Sequence, residues 1–127
     1  MSTMDNVNEK RNIETVERLF DAFRAGDTDA FDALIVDDYV QHNPRGRDGL
    51  SATKTAFEQM GPLDVEVHRV IVDGDLVVVH AHYKTFGAAA VDIFRLDDGG
   101  KILEHWDVLQ QVPATTASGH DMFTQQT

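Results

Sequence analysis

The chain has 127 residues, 42% of them apolar and 26% charged, a balance that suits one globular domain with one core. Its formal net charge is −11, and the 11 Lys and Arg residues are scattered; without a basic stripe to neutralise phosphates, nucleic acid is not expected as a partner. There is no cysteine, which removes disulfides and thiol chemistry, and no run of about 18 apolar residues that would span a membrane.

The N-terminal segment MSTMDNVNEKRN is polar and has no apolar stretch of signal-peptide length, so the expected address is the cytoplasm. Residues 6–25 read as an amphipathic helix, with Ile13, Val16, Leu19, Phe20 and Phe23 at steps of three and four and Gly26 as the stop. Asp27 is the expected cap of a short second helix carrying Ala30, Phe31 and Leu34. An extended stretch over residues 38–44 follows, in which Pro44 keeps Asn43 out of helix. Asp48 is the expected cap of a third helix with Leu50, Phe57 and Met60 on one side, stopped by Gly61-Pro62.

From Val65 the apolar period changes from 3.6 to 2. A strand to Val72 turns at Asp73-Gly74, and a valine-rich return strand runs from Leu76 to Thr85. Gly87 marks the next turn. Ala89–Leu96 is a third strand, residues 97–100 are a turn, and Ile102–Val112 is the last strand, followed by a polar tail over residues 113–127. Helices first and an antiparallel meander afterwards argue for an α+β domain over residues 1–127, with the helices packed on one face of the sheet.

The wording of three segments is informative. Tyr39-Val40-Gln41-His42-Asn43-Pro44 followed by Gly49, then Val91-Asp92-Ile93-Phe94-Arg95, then Gly100 to Val108 resemble the SnoaL-like branch of the nuclear transport factor 2-like superfamily. The resemblance implies a cone-shaped fold, three N-terminal helices on a curved antiparallel sheet, enclosing a small-molecule pocket. That branch includes polyketide cyclases that run an intramolecular aldol condensation without cofactor. It implies a hydrophobic or polyketide-like substrate and a homodimer formed through the outer sheet face, for which Trp106, Val70, Val72 and Val108 are the expected apolar residues. The hairpin around Asp92 also resembles that of ketosteroid isomerases, whose matching aspartate points into the cavity and donates a hydrogen bond to an oxyanion. The isomerase base and tyrosine are not matched: Asn43 stands at the first position and apolar residues around Leu19 at the second.

With Asp92 facing inward, alternation puts Phe94 and Leu96 on the same face. A four-residue turn over 97–100 would set Asp92 directly opposite His105, with Asp107 and Leu109 on the same face, and a slip of one residue would separate them. A carboxylate beside an imidazole can remove a proton α to a carbonyl and return it to an enolate or alkoxide. Asp92, His105 and Asp107 are therefore the expected catalytic residues, and Tyr39, His42, His82, Phe94 and Leu109 the expected substrate-binding ones. His80-x-His82, with His105 or Asp92 nearby, has the spacing of a metal site, but no metal or other cofactor is expected. The alternatives are a non-catalytic binder, using Phe20, Phe23, Phe57, Phe94 and Leu109 to hold a metabolite, and a metal-dependent enzyme.

Overall fold

The computed structural model describes residues 3–127. Its elements are α1 (Thr3–Ala25), a 3-10 turn and the one-turn helix α2 (Phe31–Leu34), β1 (Ile35–Gln41), α3 (Leu50–Met60), β2 (Val65–Asp73), β3 (Leu76–Tyr83), β4 (Ala88–Leu96) and β5 (Ile102–Gln111). The five strands form one sheet in the order β1-β5-β4-β3-β2. The β2–β5 meander is antiparallel, and β1 closes it by lying parallel to β5. No helix among the described residues is long and apolar enough to cross a membrane.

The helices pack on the inner face because their apolar stripes have only that face to bury against. Val16, Leu19, Phe20 and Phe23 of α1 are all buried, with Phe31, Leu34 and Leu50 from the other helices and Val77, Val79 and Ala81 from β3. The aromatic rings interlock: Phe23 stacks on Phe57 at 4.6 Å, and Phe20 meets Phe94 edge-on at 6.2 Å. Each fully buried ring of this kind contributes roughly 1.5–3 kcal/mol. The hydrophobic core therefore lies between the helices and the inner face of the sheet.

Polar residues at the start of α1 clamp the ends of two hairpins. Glu9 accepts the Gly74 N–H at 3.0 Å, Asn12 donates to the Gly74 carbonyl at 3.2 Å, and Thr15 donates to the Gly100 carbonyl at 2.9 Å. Gly100 has φ +83°, a backbone conformation that favours glycine, and the Arg11 side chain packs where a Cβ would stand, 2.6 Å from Nε.

Two expected caps are absent. Asp27 makes no side-chain capping bond, and Gly49 takes the N-cap position of α3. Asp48 instead accepts the backbone N–H of Gln41 at 2.8 Å, tying the loop back onto the end of β1. The outer face also differs from expectation. A bulge between Val67 and Arg69 turns Val70 and Val72 inward against the core, and the apolar outer residues are Ile71, Val78, Ile93, Trp106, Val91 and Val108.

Candidate functional site

The β4–β5 register decides what Asp92 meets. The turn is one residue longer than expected, with the Asp97 N–H bonding the Lys101 carbonyl, and a bulge follows between Arg95 and Leu96 on the β4 side, opposite Leu103. Each displaces the register by one, so the parity of the faces survives. Asp92 lies directly opposite Asp107, and His105 lies opposite Phe94. His105 reaches Asp92 diagonally, and its Nε2 is 2.8 Å from Asp92 Oδ1. Asp107 Oδ2 is 3.9 Å from the same nitrogen. All three side chains are at most 10% exposed.

The surrounding bonds fix the protons. The backbone N–H of Asn43 donates to Gln41 Oε1 at 3.0 Å, which identifies that atom as the amide oxygen. Gln41 Oε1 is also 2.7 Å from His105 Nδ1, so Nδ1 must carry a hydrogen and donate it. Gln41 Nε2 in turn donates to the Tyr39 hydroxyl at 3.0 Å. With Nδ1 protonated, one proton lies between His105 Nε2 and Asp92 Oδ1, whichever atom holds it. The other oxygen of Asp92 accepts the Tyr83 hydroxyl at 2.7 Å. Asn43 is oriented the same way: its Oδ1 accepts the Arg45 N–H, and its Nδ2 donates to both oxygens of Asp107 at 2.9 Å. Burial, then the nearby Asp92 charge, raises the pKa of both tyrosines, so each keeps its O–H.

Of the expected binding residues, Tyr39 and Phe94 are buried on the inner side, the Phe94 ring 4.9 Å from that of His105. Leu109 shares the inner face and is 47% exposed at its open end. His42 and His82 are elsewhere. His42 stacks on Trp106 at 4.8 Å and bonds Glu104 on the outer face, because its neighbours in the alternation, Gln41 and Asn43, take the inward positions. His82 is on the outer side of β3, stacked on Phe123, because the inward positions of that strand are Val77, Val79, Ala81 and Tyr83. His80 and His82 therefore cannot join Asp92 or His105 around a metal. The three residues that complete the inner group, Gln41, Asn43 and Tyr83, were not among those expected. The first two had a signal, since Tyr39-x-Gln41-x-Asn43 is a row of hydrogen-bonding side chains at the strand period.

Two surface cavities lie away from this group. One, of about 340 Å³, sits at the hairpin ends between Arg11, Asn12, Gly74, Arg95 and Asp98, and the other, of about 150 Å³, between α1 and β2–β3. Neither is lined by Asp92, His105 or Asp107, whose side chains are at most 10% exposed.

The sequence model of the SnoaL-like domain matches residues 16–105. The chain belongs to the SnoaL-like domain family. This SnoaL-like domain is similar in structure to an NTF2-like protein of unknown function from Burkholderia xenovorans LB400, at 19% identity and TM-score 0.77, over 94% of this chain and 98% of that one. It is also similar to a protein described as a candidate SnoaL-like polyketide cyclase from Jannaschia sp. CCS1, at 25% identity and TM-score 0.64, over 86% and 89% of the two chains. A third neighbour is an LEH-like epoxide hydrolase from M. tuberculosis, at 24% identity and TM-score 0.65, covering 80% of this chain and 84% of that one. No curated protein matches the chain. The α+β cone with NTF2-like neighbours is the fold expected from the sequence.

Proposed function

We propose that this SnoaL-like domain is a small-molecule lyase or isomerase that works by general acid–base catalysis through Asp92, His105 and Asp107, without a cofactor. The observation that supports it most is the 2.8 Å contact between His105 Nε2 and Asp92 Oδ1, with a second carboxylate 3.9 Å away. A structural cross-strand bond needs one acceptor; two carboxylates flanking one imidazole nitrogen supply a proton donor and a proton acceptor together.

An aldol-type cyclisation uses both. The Asp107 carboxylate takes the proton from a carbon α to a carbonyl, and the resulting enolate carbon attacks a second carbonyl of the same molecule. The Asp92–His105 proton passes to the new alkoxide. The proton on Asp107 then returns to the pair through His105, restoring the starting state. Tyr83 and Gln41 hold the two proton carriers in place throughout, while Phe94 and Tyr39 supply apolar walls. Substrate would enter along β5 past Leu109 and displace side chains that close over the group. The description of the Jannaschia neighbour as a polyketide cyclase favours carbonyl-rich, hydrophobic substrates.

The test is exchange of α-protons for deuterium in a panel of β-dicarbonyl and polyketide-like compounds in D₂O, followed by NMR. Wild-type protein should accelerate exchange of at least one compound, and His105→Ala and Asp107→Asn should abolish the acceleration. Equal exchange in all three proteins would overturn the assignment. Saturable binding without exchange would favour the second reading, a binder; the apolar ring of Phe94 against His105, itself packed on Phe20, is the observation on its side.

A homodimer is part of the same proposal. Ile71, Val78, Ile93 and Trp106 form one cross-strand row on the outer face, with Val91 and Val108 in the next. Val108 is 71% and Ile71 59% exposed, an apolar stripe that a second copy would cover.

A further inference from the structure

On the face of the sheet opposite Asp92, three imidazoles gather under the C-terminal segment. Glu66 and His82 are cross-strand partners, and the bulge between Val67 and Arg69 leaves His68 on that same outer side. The Phe123 ring lies over both histidines, 4.6 Å from His68 at 19° and 4.6 Å from His82 at 13°, so the two imidazoles are held in nearly parallel planes beneath it. Arg69 fixes the segment by donating to the Phe123 carbonyl at 2.7 Å. One ligand atom each from Glu66, His68 and His82 lies within 4.8 Å of the others, and Glu66 Oε1 is 3.9 Å from His68 Nε2 and from His82 Nδ1.

We propose that Glu66, His68 and His82 form a binding site for a divalent transition-metal ion, zinc above all, on the outer face of the sheet. Two imidazoles and a carboxylate are a borderline-soft donor set of the kind zinc prefers, with a fourth position left for water. Bonds of about 2.0–2.2 Å in tetrahedral geometry put ligand atoms about 3.4 Å apart, so each carboxylate–imidazole gap closes by about half an ångström. His80 is outside the set, because its Nδ1 already faces the Arg69 guanidinium.

Lys84 is the competitor. Its ammonium is 3.1 Å from Glu66 Oε1 and pairs with that carboxylate. The Lys84 side chain is 43% exposed and can turn into solvent, so an incoming metal ion exchanges with it for one carboxylate. Binding would also tie β2 and β3 more firmly to the segment that carries Phe123, since both ligand rings stack on it.

The experiment is calorimetric titration of the tag-free full chain with zinc chloride near neutral pH, with metal analysis after dialysis. One zinc per chain is expected. His68→Ala and His82→Ala, on an outer face where folding is checked by circular dichroism, should each weaken binding by more than about tenfold. Lys84→Ala should tighten it. His105→Ala should retain full stoichiometry, and the ring resonances of His68, His82 and Phe123 should shift on titration. The inner Asp92–His105–Asp107 group has ligand spacing too, so loss of zinc in His105→Ala with retention in His82→Ala would overturn the proposal. So would the absence of stoichiometric zinc in the wild type. These outcomes are independent of α-proton exchange at the inner group.

Discussion

The side-chain carbonyl of Gln41 stands 2.7 Å from Nδ1 of His105, and the same oxygen accepts the Asn43 backbone N–H at 3.0 Å. That relationship dictates the histidine tautomer. β1 brings it about by running parallel to β5, with Gln41 in register with His105 itself. A residue that never needs to touch substrate thus determines which nitrogen of His105 carries the mobile proton.

The tautomer is directly observable. Long-range ¹H–¹⁵N correlation should show His105 with Nδ1 protonated across the neutral range. Gln41→Leu should abolish that preference and leave the other imidazoles unchanged. An Nε2-only tautomer in the wild type would contradict the proton inventory.

Rates should fall when either end of the proton relay is removed. Asp107→Asn and His105→Ala are each expected to lower turnover of a responding carbonyl substrate by at least about 10², the ordinary worth of an acid–base group. Melting curves of Asp107→Asn should remain close to wild type, because Asn43 can still bond an amide oxygen at that position.

Tyr83→Phe removes the donor to Asp92 Oδ2 inside a buried group. An unsatisfied buried acceptor costs about 1–3 kcal/mol, so chemical denaturation should register a loss of that size. An unchanged midpoint would mean that water replaces the hydroxyl.

A charge in the apolar outer stripe tests the dimer. Val108→Glu should shift sedimentation from dimer to monomer while leaving the fold intact, since Val108 is 71% exposed in the single chain. A wild-type monomer at micromolar concentration would remove the dimer from the proposal.

The C-terminal segment should loosen in acid. Asp121 accepts the backbone N–H groups of Thr124 and Phe123, and these lower its pKa from 3.8 to about 2. A lowered folded-state value means that its stabilisation is present above the ordinary value and is lost as pH falls towards 2. The difference in Phe123 ring shifts between wild type and Asp121→Ala should therefore be full at about pH 5 and roughly halved at about pH 2.

Residue periodicity alone determined the order of helices and strands and the tight turn at Gly74. These follow from local rules: a helix repeats every 3.6 residues and a strand every two, whatever the chain packs against. The shared face of Asp92, His105 and Asp107 rested on an assumed turn and survived because two register shifts cancelled. Tertiary structure decided who touches whom. The longer turn and the bulge by Leu103 moved Asp92 from opposite His105 to opposite Asp107, and left the pair to meet diagonally. A second bulge turned Val70 and Val72 inward while His68 stayed on the outer side with Glu66. The parallel docking of β1 on β5 delivered Gln41 and Asn43 to the inner group. A bulge changes register by one residue at little local cost, and a parallel pairing joins strands more than 60 residues apart in sequence. Both are selected by the packing of the whole core, which no window of the sequence contains.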